Sequence, residues 1–312
     1  MARIIAGLGV CLLCLALAGA ETARAGEPLR FGVLGVLDTL PLQVAAHDGL
    51  FAAHGLDVEL VPFASAMERD VAIQAGRLDG YFGDLIAALM LLEQGRPFPV
   101  SLVSYRTLPG QPMFGLALAP GRSGAALADL RGASVGYSRS TIMEFLLDKI
   151  SDANGLPEDY FNRLEIKKIP IRLQMLLSGQ IDAALLPEPL LSLARLKGGD
   201  TLLTAENLDI PLTVLCLHER YYENGAGEFR AFVAAYRDAL QRLRENPERY
   251  RSLMAETCRI PAPLVPNFPV YAYPDPALPS PAEVDEVQDW MITKNMLGAR
   301  LAYTKVVASS AP

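Results

Sequence analysis

Cysteine, histidine and tryptophan are scarce in this chain of 312 residues, which has four, three and one of them. Cys11 and Cys14 lie in an N-terminal apolar stretch, so only Cys216 and Cys258 remain in the rest of the chain. Two cysteines can pair in an oxidising compartment or stay as buried thiols, and their spacing favours neither outcome. These cysteines and histidines show no metal-binding spacing, so we expect no metal site.

Basic residues are also fewer than acidic residues in this chain. The chain has 28 Lys and Arg residues against 35 Asp and Glu residues, a net charge of -7. Nucleic-acid binding requires a basic face, so we predict no nucleic-acid partner. Because 51% of the residues are hydrophobic and 20% are charged, the chain should fold, and its length predicts two lobes rather than one core.

The sequence lacks the motifs of the common enzyme classes. It contains no G-x-S-x-G elbow, no H-E-x-x-H pair, no phosphate-binding Walker loop and no Rossmann glycine fingerprint. Its serine, histidine and aspartate residues are not spaced as a catalytic triad. We therefore predict a protein that is not an enzyme and that uses no cofactor.

Residues 1–25 differ in composition from the rest. Arg3 gives a positive start, residues 4–18 form an almost unbroken apolar run, and Ala23-Arg24-Ala25 has the small-x-small form of a cleavage site. This pattern predicts a secretory signal peptide that is removed after Ala25, and hence a periplasmic protein. No later run is long and apolar enough to cross a membrane.

Short strands alternate with helices of about ten residues along most of the chain, the pattern of βαβ units and a largely parallel sheet. Strands are predicted at 30–35, 58–61, 100–105, 113–118, 133–137, 164–169, 183–186 and 212–217. Helices are predicted at 42–51, 67–75, 85–92, 142–150, 173–178, 229–244, 248–256 and 284–297. Residues 260–281 carry eight prolines and should form an extended wrap.

The stretch 130–150 combines a strand, a short hydroxyl-rich loop and an amphipathic helix. Ser140 or Thr141 is placed to cap the helix, and Glu144 follows Thr141 at the spacing of a capping box. A helix start at the carboxyl end of a strand can hold an anionic or polar ligand group. The same pattern also describes an ordinary capped helix with nothing bound.

Four segments resemble one protein family. In chain order they read GLFAAHGLDVELVPF, VAIQAGRLDGYFGD, DLRGASVGYSRSTIMEFLLDKI and LLSGQIDAALLPEPLLSLA. Together they are similar to the periplasmic solute-binding proteins of ABC transporters for nitrate, sulfonates, taurine and thiamine-pyrimidine precursors. The resemblance covers residues 29–208.

This resemblance implies an α/β protein with a type II periplasmic-binding-protein fold, in which two α/β lobes are joined by a two-segment hinge. It also implies a monomer that holds one small-molecule ligand in the cleft and delivers it to an ABC permease and ATPase complex. We predict that residues 26–110 and 211–312 form lobe one and residues 111–210 form lobe two. A Gly-x-x-Asp pattern at 76–79 and again at 179–182 agrees with two similar halves.

Ligands of open α/β sheets bind beyond the carboxyl ends of the strands. The candidate ligand-binding residues, which follow such strands, are Asp38, Asp84, Tyr105, Ser138, Arg139, Ser140, Thr141 and Glu188. The hydroxyl groups and Arg139 suit an anion such as a sulfonate, whereas the acids and tyrosines suit an aminopyrimidine. Both ligand classes stay open, as do two other functions for the same fold: a sensor, or a biosynthetic enzyme of the thiamine-pyrimidine type that acts without a transporter.

Overall fold

The computed structural model describes residues 27–222 and 226–309, which form two α/β lobes, each built on a five-stranded sheet. In spatial order the sheet of lobe one contains β2 (Val58–Phe63), β1 (Leu29–Leu34), β3 (Gly80–Gly83), β10 (Pro211–Leu217) and β4 (Val100–Arg106). The sheet of lobe two contains β7 (Asn162–Glu165), β6 (Ser134–Tyr137), β8 (Ala183–Pro187), β5 (Phe114–Leu118) and β9 (Asp200–Thr204).

The two sheets have the same mixed topology. In lobe one, β1 runs parallel to β2 and β3, while β10 is antiparallel to both of its neighbours. In lobe two, β6 runs parallel to β7 and β8, while β5 is antiparallel to β8 and β9. The antiparallel strand of each sheet is the first one that follows a crossing between the lobes, so the sheets are less uniformly parallel than the sequence pattern predicts.

Helices cover the faces of both sheets. Those of lobe one are α1 (Leu40–His47), α2 (Leu50–Ala53), α3 (Ala66–Gln74), α4 (Leu85–Glu93), α8 (Gly227–Glu245), α9 (Arg251–Thr257), α10 (Pro281–Thr293) and α11 (Tyr303–Val306). Those of lobe two are α5 (Ile142–Ala153), α6 (Ile169–Leu177) and α7 (Leu190–Leu196). Short 3-10 turns occur at Leu37–Thr39, Leu127–Leu130, Glu219–Tyr222 and Pro247–Tyr250.

Aromatic packing fixes α8 against the first sheet. The ring of Phe232 stacks on both Phe31 and Phe51, with centroid distances of 5.4 Å. The proline-rich stretch 260–280 has no regular structure and packs on the same lobe, where the Tyr273 hydroxyl donates to the carbonyl of Leu37 at 2.7 Å. Burial of these large rings contributes to the core of lobe one.

Two chain segments cross between the lobes, one from β4 to β5 and the other from β9 to β10. They are joined at Thr107, whose N–H donates to the carbonyl of Ile210 at 3.0 Å and whose hydroxyl accepts from the Ile210 N–H at 2.9 Å. The lobe boundaries that we inferred from the sequence stay a prediction.

Other sequence-based predictions concern one strand boundary, the cysteines and the N-terminal residues. The strand predicted at 164–169 is wrong from residue 166 onward, because β7 ends at Glu165 and α6 begins at Ile169, where Pro170 suits a first helical turn. Cys216 and Cys258 are both buried free thiols. The predicted signal peptide lies outside the described residues. Over residues 27–222 and 226–309, no helix has both the length and the hydropathy to span a membrane.

Candidate functional site

A cavity of about 560 Å³ lies between the two lobes, within the size range of small-molecule sites. Lobe one lines it from the ends of β1 and β3, from α3 and α4, and from Thr213 of β10. Lobe two lines it from the loop before α5 and from Phe114, Glu165, Lys167, Ile169 and Pro187. Six predicted site residues meet here: Asp38, Asp84, Ser138, Arg139, Ser140 and Thr141.

The cavity wall is largely apolar. Phe82 from lobe one and Phe114 from lobe two are buried rings that face this space from opposite sheets. The other apolar lining residues are Leu34, Val36, Ala66, Met67, Val71, Ala87, Met90, Leu91, Ile142, Met143, Ile169 and Pro187. Such a wall with a few inward polar groups is typical of a site for a small organic molecule.

Asp84 ends β3 and caps α4. Its Oδ1 accepts the Ala87 N–H at 2.8 Å, which supplies one of the partners that the first turn of a helix lacks. Its Oδ2 crosses the cleft and accepts the N–H of Ile142, the first residue of α5, at 3.0 Å. Burial raises the pKa of Asp84, and these two N–H groups oppose that rise. Both oxygens of Asp84 are therefore engaged within the protein.

The loop before α5 also uses its polar groups internally. Thr141 is the N-cap, as the sequence indicates, and its hydroxyl oxygen accepts the Met143 N–H at 3.2 Å. Glu144 accepts the N–H of Ser140 at 2.7 Å rather than that of the N-cap. Ser140 has a φ of 56°, in the left-handed region that non-glycine residues seldom adopt. The loop is thus held in one conformation by its own hydrogen bonds.

Ser138 and Arg139 have different environments. The Ser138 hydroxyl accepts a hydrogen bond from the guanidinium of Arg172, which is fully buried and also donates to the carbonyls of Ile166 and Leu185. Burial lowers the pKa of Arg172 to about 9. Arg139 is exposed at the rim of the cavity. Arg172 therefore braces lobe two, while Arg139 lies at the mouth of the cleft, where a hydrogen bond to Tyr137 raises its pKa.

Asp38 is the acid of the cavity whose carboxylate lacks hydrogen-bond partners in the described chain. It lies in the 3-10 turn after β1, is 1% exposed, and neither carboxylate oxygen has a hydrogen-bond partner among the described residues. Burial raises its pKa to about 6, although its own N–H and the nearby Thr213 hydroxyl oppose the rise. The Thr213 hydroxyl, which also lines the cavity, has no partner of hydrogen-bonding geometry in the described chain. These two residues therefore place an acceptor and a hydroxyl, both buried and without a hydrogen-bond partner in the described chain, in the lining of the cavity.

The buried cation of the cavity is already paired. Arg69 is 1% exposed, and its Nε and Nη2 donate to Oδ1 of Asp70 at 2.9 and 2.6 Å. Its Nη1 donates to the Phe82 carbonyl at 2.7 Å. At the rim, Lys167 lies 3.5 Å from the carboxylate of Glu165. Arg69 and Lys167 thus have anionic partners from the protein itself, while Arg139 is exposed at the rim.

Two predicted site residues lie apart from the cavity lining. Tyr105 points into the core of lobe one, where its ring packs edge-on against Tyr273 at 5.7 Å. Glu188 turns back on α7 and accepts from the N–H and hydroxyl of Ser192 at 2.9 and 2.7 Å. Burial raises the pKa of Glu188, against the effect of Ser192 and Arg195. In this structure these side chains serve packing and helix capping, and their role in ligand binding stays a prediction.

Most of the lining was missed by sequence reasoning, including Arg69, Phe82, Phe114 and Thr213. Thr213 could have been identified from the sequence, because it is the one hydroxyl residue in the otherwise apolar strand PLTVLCL. The sequence does not single out the two phenylalanines, because an aromatic residue in a strand usually belongs to the core. Among the described residues, no group of three or more His, Cys, Asp or Glu side chains is arranged to hold a metal ion.

A second contact between the lobes lies on α5, outside the cavity lining. Asp148 of α5 accepts the indole N–H of Trp290 from α10 at 2.8 Å and pairs with Arg163 at 2.5 Å and Lys294 at 3.2 Å. Trp290 also packs edge-on against Phe145 at 5.3 Å. Burial acts to raise the pKa of Asp148, but these partners outweigh it and lower the pKa.

The fold is similar to that of several solved proteins. The periplasmic aliphatic sulphonate-binding protein SsuA from Escherichia coli matches with a TM-score of 0.73 and 19% identity, covering 90% of this chain and 92% of that one. SsuA from Xanthomonas axonopodis pv. citri, bound to MOPS, matches with a TM-score of 0.73 and 20% identity over 91% and 99% of the two chains.

An enzyme has the same fold. The desulfurization enzyme DSZB matches with a TM-score of 0.64 and 17% identity, covering 90% of this chain and 96% of the enzyme. Similarity at these levels of identity establishes the periplasmic-binding-protein fold and does not carry over a ligand or an activity. A comparison with curated protein sequences gave no match.

A family model agrees with the fold and with the resemblance seen in the sequence. The model described as NMT1/THI5 like matches residues 37–250, which include both crossing segments, the cavity loops and most of both sheets. Because the match spans more than half of the chain, this protein belongs to the NMT1/THI5-like family.

Proposed function

We propose that this protein is an exported solute-binding protein that reversibly binds one small organic molecule between its lobes and delivers it to an ABC importer. In this proposal residues 26–110 and 211–312 act as one lobe and residues 111–210 as the other. The observation that carries it is the cavity between the two sheets, which contains a buried acid without a partner and is lined from both lobes.

Binding would favour the closed arrangement of the lobes. Each lobe supplies only part of the lining, so a ligand makes all its contacts only when both are in place, and it shifts the population toward that state. Asp38 and Thr213 would fix the polar end of the ligand, while Phe82 and Phe114 would cover its apolar part. Neither described cysteine lines the cavity, and burial raises the pKa of both thiols to about 12, which disfavours covalent chemistry.

A solute screen on the chain that starts at Gly26 tests this proposal. At one hundred times its Kd a true ligand should stabilise the fold by about 2.7 kcal/mol and raise the melting temperature measurably. Trp290, the only tryptophan, lies on α10 of lobe one and donates to Asp148 of lobe two. Its fluorescence emission should therefore change on the same titration.

A matched pair of variants separates binding in the cavity from other effects. Thr213→Val should weaken the identified ligand about threefold to tenfold, the value of one neutral hydrogen bond. Thr201→Val removes another hydroxyl without a partner in the described chain, but from β9 outside the lining, and should leave affinity unchanged. Equal effects of both variants, or turnover of the ligand by the unmodified protein, would refute the proposal. Loss of high-affinity uptake in a cell that lacks the gene would support delivery to an importer.

A further inference from the structure

The start of α5 is a place where an anion would be expected to bind. The helix has twelve residues, and Thr141, Ile142 and Met143 at its start line the cavity. The first N–H groups of a helix and the positive end of its dipole attract negatively charged ligand groups. The group that occupies this helix start therefore affects which ligands the cavity can bind.

Here the protein supplies its own anion. The Ile142 N–H donates to the Asp84 carboxylate of the opposite lobe, and the N–H groups of Met143 and Glu144 donate to the hydroxyl and the carbonyl of Thr141. Asp84 is 5% exposed and also caps α4. Its carboxylate thus lies between two helix starts, and an anionic ligand would have to displace it or lie beside a like charge.

An independent feature of the same cavity also disfavours anions. Asp38 is 1% exposed, lines the cavity, and has no hydrogen-bond partner among the described residues for either oxygen. A carboxylate offers only acceptor sites, so the group that satisfies it must be a donor. The buried guanidinium that could balance an anion, that of Arg69, is held by Asp70 and by the Phe82 carbonyl.

We propose that Asp84 determines ligand specificity: by occupying the start of α5 it excludes anions such as sulfonates and nitrate, and the cavity takes an uncharged or cationic ligand that donates hydrogen bonds to Asp38. This inference rests on the proposed solute-binding function and specifies the chemical class of its ligand. Of the two ligand classes that the sequence leaves open, it favours the aminopyrimidine over the sulfonate.

A gain of anion binding is the direct test, and it does not need the natural ligand. Asp84→Ser keeps a residue that can cap α4 but is too short to reach across the cleft. Calorimetry with methanesulfonate should show weak or undetectable binding to the unmodified protein and about tenfold to a hundredfold tighter binding to Asp84→Ser, the value of a charge-assisted hydrogen bond. In amide-detected NMR, methanesulfonate should shift the Ile142 signal of the variant. Circular dichroism would verify that the variant is folded.

Asp38→Ser is the matched control, because it removes one carboxylate from the same cavity without freeing the start of α5. It should not create an anion site at Ile142, and it should lose binding of benzamidinium, a cationic donor that we expect the unmodified protein to bind. The inference is overturned if methanesulfonate binds the unmodified protein as tightly as Asp84→Ser, or if the folded Asp84→Ser gains no affinity. Either result can occur while the solute screen still identifies a ligand, so failure of this inference is distinct from failure of the solute-binding function.

Discussion

Replacing Asp38 by asparagine should change how the stability of this protein depends on pH. In the folded protein the pKa of Asp38 is about 6, against an ordinary value of 3.8 that should hold in the unfolded chain. As pH rises above 3.8 the unfolded chain releases this proton first, so the free energy of unfolding falls until pH exceeds about 6. At 1.36 kcal/mol per pKa unit the complete loss is about 3 kcal/mol.

The cause of this shift lies in the surroundings of the carboxyl group. Its own N–H and the Thr213 hydroxyl are the groups that lower its pKa, and neither carries a charge. The titratable groups that sense the charge of Asp38 are those of Tyr105, Tyr236, Tyr273 and Cys258. Burial without a cation therefore favours the neutral acid.

Urea unfolding at pH 4 and pH 7 measures the effect, followed by Trp290 fluorescence and far-UV circular dichroism. Between these pH values the unmodified protein should lose about 2–3 kcal/mol more than Asp38→Asn, because most of the Asp38 titration falls in this interval. Other acids titrate in both proteins and cancel in the difference. Asp57→Asn, which removes an exposed carboxyl, should parallel the unmodified protein. A difference between unmodified protein and Asp38→Asn that stays constant with pH would refute the reasoning.

Three further results are expected. Asp148→Asn should destabilise the fold by about 3 kcal/mol in urea titrations, because it removes the carboxylate that pairs with two cations and with Trp290. A loss of stability below about 0.5 kcal/mol, which is typical of surface sites, would show that this contact does not stabilise the fold. Gly199→Ala should cost about 1–3 kcal/mol in thermal melts, since its Cβ would lie 2.5 Å from a backbone carbonyl, whereas Gly227→Ala meets nothing within 4 Å and should be neutral or stabilising. Calorimetry with benzamidinium should show its affinity falling about tenfold per pH unit below pH 6, because Asp38 takes up a proton there. An affinity that does not change with pH would contradict the role of Asp38 as the acceptor.

The α/β alternation and the two similar halves could be predicted from the sequence because each strand is a short apolar run bounded by turn residues. The cap of α5 by Thr141 was also predictable, since capping depends on residues close in the chain. The error at 164–169 arose where a strand and a helix share apolar residues and only Pro170 marks the boundary.

The site was harder to predict because strands buried on both faces do not show which side chains point to the cleft. Tyr105 and Glu188 each follow or end a strand, yet one points into the core and the other turns onto α7. Thr213 and Phe114 were missed for the same reason. The contact of Asp84 with Ile142 joins residues 58 positions apart, and no local pattern reports such a contact.

The burial that makes Asp38 unfavourable for folding would also strengthen the hydrogen bond to a ligand that we propose for it. Its desolvation already occurs when lobe one folds, so a ligand donor meets a carboxylate that has no competing water shell to lose. The same hydrogen bond on an exposed acid would contribute little, because solvent screens it and the free side chain is mobile. Asp84 differs, because each of its oxygens already accepts an N–H from the protein and has less acceptor capacity left for a ligand. We therefore propose different roles for two acids of one cavity, because Asp84 has hydrogen-bond partners within the described fold and Asp38 has none.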